Sequence, residues 1–263
     1  MPRLALGLEY DGSACAGWQS QPGLRTVQGL AEQALTRIAA EPISLTCAGR
    51  TDAGVHALGQ VAHFDTTARR SCRSWMLGAN SELPEDISVR WAQEVPEHFH
   101  ARYSAHTRTY RYLVLNSSAR PALQRARAAW VHRALDAAAM AQAARHLEGE
   151  HDFSALRAAE CQAKSPVRRL ERLQVSRTGE LIVIEATANA FLHHMVRNIA
   201  GLLLAIGRGD AAPDWAREVL QGRDRTRAPA TAPAHGLYLL QVRYPQAFGL
   251  PQAQPAGLPD LAP

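Results

Sequence analysis

Apolar and polar positions along this chain mark out strands and helices in turn. Residues 3–9 alternate with the period of a strand and are broken by Tyr10-Asp11-Gly12-Ser13, a run of turn formers. Thr26 is placed to cap a helix. Val27, Leu30, Ala31, Ala34, Leu35 and Ile38 then follow at the spacing of one helical face. Residues 43–47 and 60–64 read as strands flanking a glycine-bearing loop, 49–59. Residues 71–79 predict a short helix and 87–93 a strand. Beyond these, 106–115 reads as a strand and 136–147 as an alanine-rich helix. Residues 168–176 and 181–186 read as a hairpin turning at Thr178-Gly179. Residues 191–206 are apolar enough to predict a buried helix, closed by Gly207. A short helix at 214–220 and a last strand at 237–243 complete the pattern.

Strands and helices interleave without the strict alternation of a doubly wound fold, so an α+β class is expected. Two halves fit best, residues 1–97 and 98–244, each a small sheet covered by helices, with the seam near 95–102. Residues 245–263 are rich in proline, glycine and alanine and are expected to be a disordered tail. With 263 residues, 46% of them hydrophobic, the chain is long enough to bury a sizeable core.

The net charge is +5, and Lys164 is the only lysine among 29 basic residues. Arginine's planar fork suits phosphate recognition and base stacking better than a lysine ammonium. An excess of arginine and alanine is also what genome composition produces, so charge alone leaves nucleic acid as one of two readings. Cys15, Cys47, Cys72 and Cys161 are scattered and form no Cys-x-x-Cys pair. That excludes a disulfide framework and the common zinc spacings as expectations. The first ten residues reach Glu9 before any apolar run of signal-peptide length, and the run 199–206 is too short to span a membrane. A soluble chain in the reducing cytoplasm, with no membrane partner, is expected.

Three segments could carry chemistry. In Gly49-Arg50-Thr51-Asp52-Ala53-Gly54-Val55-His56, a guanidinium and a carboxylate stand two residues apart. An extended stretch puts both on one face, where the arginine favours the ionised aspartate that a nucleophile or base requires. On loop chemistry alone, an Asx turn at Asp52 is the stronger reading, since aspartates in glycine-rich loops are usually turn formers. The stretch 97–112 alternates basic and aromatic residues, as a surface that neutralises phosphates and stacks on bases would. From Arg108 on, Arg108, Tyr110 and Tyr112 share one face and Thr109 and Arg111 the other; a strand packing its tyrosines into the core has the same pattern. Arg197 stands out in an apolar helix, where an arginine either pairs with a carboxylate or snorkels to water. His98, His100, His106, His193 and His194 match no common zinc pattern, and no metal site is expected.

Seven pieces in order make the pattern specific: Tyr10-Asp11-Gly12 with Gly17-Trp18-Gln19; Thr26-Val27-Gln28; the loop around Asp52; Phe99-His100-Ala101-Arg102; Tyr110-Arg111-Tyr112; the run Phe191-Leu192-His193-His194-Met195-Val196-Arg197-Asn198; and Ala234-His235-Gly236-Leu237-Tyr238-Leu239. Together, across residues 6–244, they resemble the tRNA pseudouridine synthase A family. The resemblance, and not the loop chemistry, favours Asp52 as a nucleophile. It implies two related ferredoxin-like halves forming one continuous mixed, mainly antiparallel sheet, with helices on one face and a basic cleft between the halves. It implies isomerisation of uridine to pseudouridine at positions 38, 39 and 40 of the tRNA anticodon stem-loop, by a homodimer that needs no cofactor. The implied roles are catalysis for Asp52, holding or flipping the target nucleotide for Arg50, contact with uracil for Tyr110 and pairing with the aspartate for Arg197. Phe99, His100, Ala101, Arg102 and Tyr103, and Cys161, Gln162, Ala163, Lys164 and Ser165, match stretches that contact tRNA. Cys15 departs from the pattern, standing where the family usually has an aromatic residue.

The implied reaction breaks the bond from C1′ to N1 and forms one from C1′ to C5 of the same uracil. It is redox neutral and transfers no outside group, so neither a nicotinamide nor a metal nor ATP is called for. The leaving base is also the acceptor, so one carboxylate can serve where glycosidases usually employ two. Attack of that carboxylate on C1′ and removal of a ribose proton to give a glycal both balance. A non-catalytic tRNA-binding protein on the same scaffold would lack at least one of Asp52, Arg50, Tyr110 and Arg197; all four are present. A substrate other than the anticodon arm is a further reading that the sequence leaves open.

Overall fold

A computed structural model of the chain describes residues 1–251, and residues 252–263 lie outside the described part. The chain divides into two compact units, Met1–His106 with the segment that begins at Tyr238, and Thr107–Leu237.

In the first unit, β1 (Arg3–Tyr10) leads to a 3-10 turn (Gly12–Ala14) and α1 (Val27–Ala39), whose first turn is capped by the Thr26 hydroxyl accepting from the Gly29 amide. Then come β2 (Thr46–Cys47), β3 (His56–Asp65), α2 (Cys72–Glu82) and β4 (Ile87–Val95). Antiparallel β1 lies between β4 and β3. The register slips between Leu8 and Tyr10, an irregularity that re-aims Tyr10 at the end of the strand. β3 is buried along nearly its whole length. On one side Phe64 meets Trp75 of α2 edge-on, with ring centroids 5.3 Å apart. The neighbouring side chain, His63, lies instead against Phe99 and His100.

The second unit holds β5 (Thr107–Asn116), β6 (Ala129–Val131), α3 (Ala137–Arg145), β7 (Gly149–Asp152), β8 (Val167–Thr178), β9 (Leu181–Ala188), α4 (Met195–Gly207) and α5 (Trp215–Gly222). Its strands run β5-β9-β8-β7, all antiparallel, with β6 parallel beside β5. The predicted faces of β5 hold across the ladder: Thr109 meets Thr187, and Arg111 forms a 2.8 Å ion pair with Glu185. Every residue of α4 except Arg197 is buried, which explains why its sequence is apolar all round. The last strand, β10 (Leu237–Arg243), pairs in parallel with β3, Tyr238 opposite His56 and Leu239 opposite Ala57.

The α+β class and a mixed, mainly antiparallel sheet are therefore what the chain adopts. Several boundaries differ from expectation. The chain changes unit after His106 and not near 97, because the fully buried Phe99 anchors the loop 96–106 to the first unit. β10 from Tyr238 on also belongs with that unit and not with the expected second half. The expected tail is ordered in its first part. Gln246–Phe248 forms a 3-10 turn, Phe248 packs on Phe99 and His98, and its carbonyl accepts from Gln93. One aromatic side chain outweighs the proline- and glycine-rich composition there. The rest of that tail lies outside the described residues. The predicted helix 191–206 starts only at Met195, since His194 takes a left-handed conformation (φ 60°) that ends helical continuity towards its N-terminal side. The loop 49–59 is shorter than predicted, since β3 begins at His56.

Candidate active site

Asp52 stands in the loop between β2 and β3. Thr51 is buried while Arg50 is exposed and Asp52 half-buried, the alternation expected of an extended stretch. The chain then turns, with the Val55 amide donating to the Asp52 carbonyl at 3.1 Å. The turn is thus closed by main chain.

The loop is gripped from beneath. The Tyr10 hydroxyl and the Thr51 hydroxyl are 2.8 Å apart, both buried. Gln60, fully buried on β3, donates to the Gly49 carbonyl at 2.7 Å and to the Tyr10 oxygen at 3.4 Å. The Trp18 amide donates to the Thr51 carbonyl at 2.9 Å, and the Gly54 amide to the Cys15 carbonyl at 3.3 Å. Two glycines make this approach fit. A Cβ on Gly12 would lie 2.0 Å from the Val55 carbonyl oxygen. Gly17 has φ +94°, and a Cβ there would lie 2.8 Å from the Thr51 carbonyl oxygen. The Gly12 amide also donates to His56 Nδ1 at 3.1 Å, which requires that nitrogen unprotonated; protonated, it would face Asp11 at 3.2 Å instead. The His56 ring stacks on Tyr238, with centroids 4.6 Å apart. Tyr10, Gly12, Gly17, Trp18, His56 and Gln60 therefore position the loop. All but Gln60 stand in motifs visible in the sequence, but only contact across the unit shows what they hold.

The segment Phe99 to Tyr103 lies in the same unit. Phe99 and Ala101 are fully buried, so their side chains offer no surface to a partner. His100 Nδ1 accepts from the Arg102 and Tyr103 amides, and its ring lies 4.3 Å from that of Tyr103. Tyr103 is 76% exposed, with the Arg102 guanidinium 5.6 Å above its ring. Burial pushes the Cys47 thiol up to about 12, while the charges of Arg50 and Arg102 pull it the other way. Both guanidiniums thus act on one buried thiol. Elsewhere in the unit the His98 ring packs on Phe248, and the His106 amide donates to the Arg243 carbonyl.

The second unit carries the remaining candidates. Tyr110 on β5 is only 8% exposed and meets Phe191 edge-on at 5.1 Å. Tyr112 is a core residue, fully buried, with its hydroxyl donating to the Pro233 carbonyl at 2.8 Å. Arg197, in the first turn of α4, donates from Nε to the Ala232 carbonyl at 2.9 Å. Burial, and after it the charge of Arg197, holds the His235 imidazole below its ordinary range. In the loop before β8, Gln162, Lys164 and Ser165 are exposed, and Cys161 and Ala163 half-buried. Among the described residues, no helix is long and apolar enough to cross a membrane.

A model of the tRNA pseudouridine synthase family matches residues 7–104 and 143–245. A tRNA pseudouridine synthase A of Coxiella burnetii is 55% identical over 252 residues, covering 96% of this chain and 97% of its own. Those of Methylococcus capsulatus and Alcanivorax borkumensis are 56% and 52% identical, covering 94% and 99% of this chain and 92% and 98% of their own. Pseudouridine is an isomer of uridine, so the activity in these names is an isomerisation. The matched residues include the gripped loop, the Phe99–Tyr103 segment and the helix that bears Arg197, and the chain belongs to the tRNA pseudouridine synthase family.

Proposed function

We propose that the chain converts uridine to pseudouridine in the anticodon stem-loop of tRNAs, at positions 38, 39 and 40, with Asp52 as the nucleophile. The observation that carries the reading is the immobilised loop. A half-buried carboxylate stands on a backbone fixed by Tyr10, Trp18 and Gln60 and backed by two glycines that leave it no slack. A surface turn formed by an aspartate in a glycine-bearing loop requires none of these bonds to distant residues.

The target uridine leaves its stack before Asp52 reaches the ribose. Arg50, exposed beside it, holds the displaced nucleotide or occupies the space it leaves. Tyr110 lies against the uracil. Arg197 pairs with the Asp52 carboxylate, as the family resemblance implies. Asp52 acts on the ribose, the C1′–N1 bond breaks, the base turns and the C1′–C5 bond forms. N1 gains a proton and C5 loses one, so the reaction balances without a cofactor. Arg102, Tyr103 and His100 supply charge and a ring to stack on, and Gln162, Lys164 and Ser165 add polar contacts to tRNA. A homodimer, as the family resemblance implies, is part of the same reading.

Mapping pseudouridine in total tRNA from cells with and without this protein tests the assignment. Loss of the modification at 38, 39 and 40 is expected. Loss at other tRNA positions, with these retained, would overturn the choice of site.

A further inference from the structure

Arg197 is held by more than its place in α4. Its Nε donates to the Ala232 carbonyl at 2.9 Å, and its own carbonyl accepts from the Ala232 amide at 3.1 Å. One residue of the segment before β10 therefore fastens both the main chain and the side chain of Arg197. The segment is itself pressed onto α4. A Cβ on Gly201, one helical turn after Arg197, would lie 2.2 Å from the Ala230 carbonyl oxygen.

A polar network fixes that segment. Arg225 donates from Nη1 to the Ala228 and Pro229 carbonyls at 3.1 and 3.0 Å. Its Nη2 donates to Asn198 Oδ1 at 3.2 Å and to the Thr231 hydroxyl at 3.1 Å. The Thr231 hydroxyl donates to Asn198 Oδ1 at 2.7 Å. Asn198, 1% exposed and next to Arg197 on α4, donates from Nδ2 to the Leu156 carbonyl at 2.9 Å. The guanidinium of Arg225 makes four bonds inward, to carbonyl and hydroxyl oxygens, and none of these partners is a carboxylate. A polar network this fully connected sets one arrangement of the groups it joins. Here those groups are α4's first turn and residues 228–232, the two pieces of chain that hold Arg197.

We propose that Asn198, Arg225 and Thr231 form a positioning unit that sets the direction of the Arg197 guanidinium for the isomerisation, without themselves touching tRNA. The inference rests on the role given above to Arg197. It predicts that loosening the network lowers the chemical step and leaves RNA binding alone, because a displacement of about 1 Å in a group near the reacting centre can cost on the order of a hundredfold in rate.

The test uses full-length protein carrying Thr231→Val, Thr231→Ser, Arg225→Gln or, as reference, Arg197→Gln. Two quantities are measured on an anticodon-arm substrate tRNA: the single-turnover rate constant of pseudouridine formation, and the affinity and stoichiometry of tRNA binding. Thr231→Val and Arg225→Gln are expected to lower the rate constant by about tenfold or more. Binding should stay within about twofold of wild type at full stoichiometry, and Thr231→Ser, which keeps the hydroxyl, should restore the rate. Reduced stoichiometry in step with the lost rate would mark a folding defect and overturn the positioning role, as would weaker binding by Arg225→Gln at full stoichiometry, which marks a tRNA contact. Unchanged rates for Thr231→Val and Arg225→Gln beside a slow Arg197→Gln would overturn this inference alone. A wild-type rate for Arg197→Gln would overturn the role of Arg197 and this inference with it.

Discussion

At the scale of single residues, the fit around Asp52 rests on a side-chain carbon that two glycines lack. Gly12 and Gly17 let two stretches of main chain come closer than a Cβ allows. Gly12→Ala places a methyl group 2.0 Å from the Val55 carbonyl, and backbone must move to relieve it. The expected cost is about 1–3 kcal/mol of stability, read by urea unfolding, with a loss of turnover that persists under conditions where the variant is folded. Asp52→Ala differs in kind. It removes the carboxylate proposed as the nucleophile from an otherwise intact loop, so it should lower the single-turnover rate on the order of 10⁴-fold or more while tRNA affinity is kept. Near wild-type turnover by purified Asp52→Ala would refute its role as nucleophile. Asp52 and Arg50 were legible as a pair from spacing. Tyr10, Gln60 and His56 were not, because a hydrogen bond across 41 or 50 positions of sequence leaves no local signature.

Elements show the same contrast. The period of α1 and the alternation along β9 go with burial of one face, which imposes a period on the sequence. β6 and β7 leave no such signal: at three and four residues they are too short to carry a period. β3 carries a testable consequence of its burial on both faces. His63 points away from the helix side, accepts a hydrogen bond from the Ala101 amide through Nδ1, and is 6% exposed. Burial chiefly, then the charges of Arg3 and His100, pulls its pKa down from 6.5 to about 4. Between those values the unfolded chain binds a proton that the folded chain refuses, so stability rises with pH across this window and is lost as pH falls through it. His63→Gln, which cannot take up that proton, should show a smaller loss of stability between pH 7 and pH 4 than wild type does. An equal loss in thermal unfolding of both proteins would assign the effect to other groups. The stretch that His63 supports presents Arg102 and Tyr103, so acid should also loosen that part of the surface.

For the whole molecule, the excess of arginine becomes meaningful once tRNA is the substrate class. Each phosphate neutralised releases counterions, so the logarithm of tRNA affinity should fall linearly with the logarithm of salt concentration, by about 0.7–0.9 per contact. Filter binding across a salt series measures the slope. Arg102→Ala should lower it by about one contact, while Arg225→Gln, with its guanidinium turned inward, should leave it unchanged. A flat response in the wild-type protein would count against an arginine-based RNA surface.

The sequence by itself determined the α+β class, most elements and the family, because periodicity, turn formers and ordered motifs are local properties that short stretches carry intact. It also placed Arg50, Asp52, Tyr110 and Arg197 on their elements. Only the tertiary structure decided which surroundings those residues have. It joined β10 to the first unit, ordered Phe248 against Phe99, ended the helix of Arg197 at a left-handed His194 and tied Arg197 to Ala232. It also showed Phe99 and Ala101 to be anchors, leaving Arg102 and Tyr103 as the exposed surface of their segment. These outcomes depend on close packing and on pairing every buried polar group, which are satisfied between residues far apart in the chain and leave no period to read.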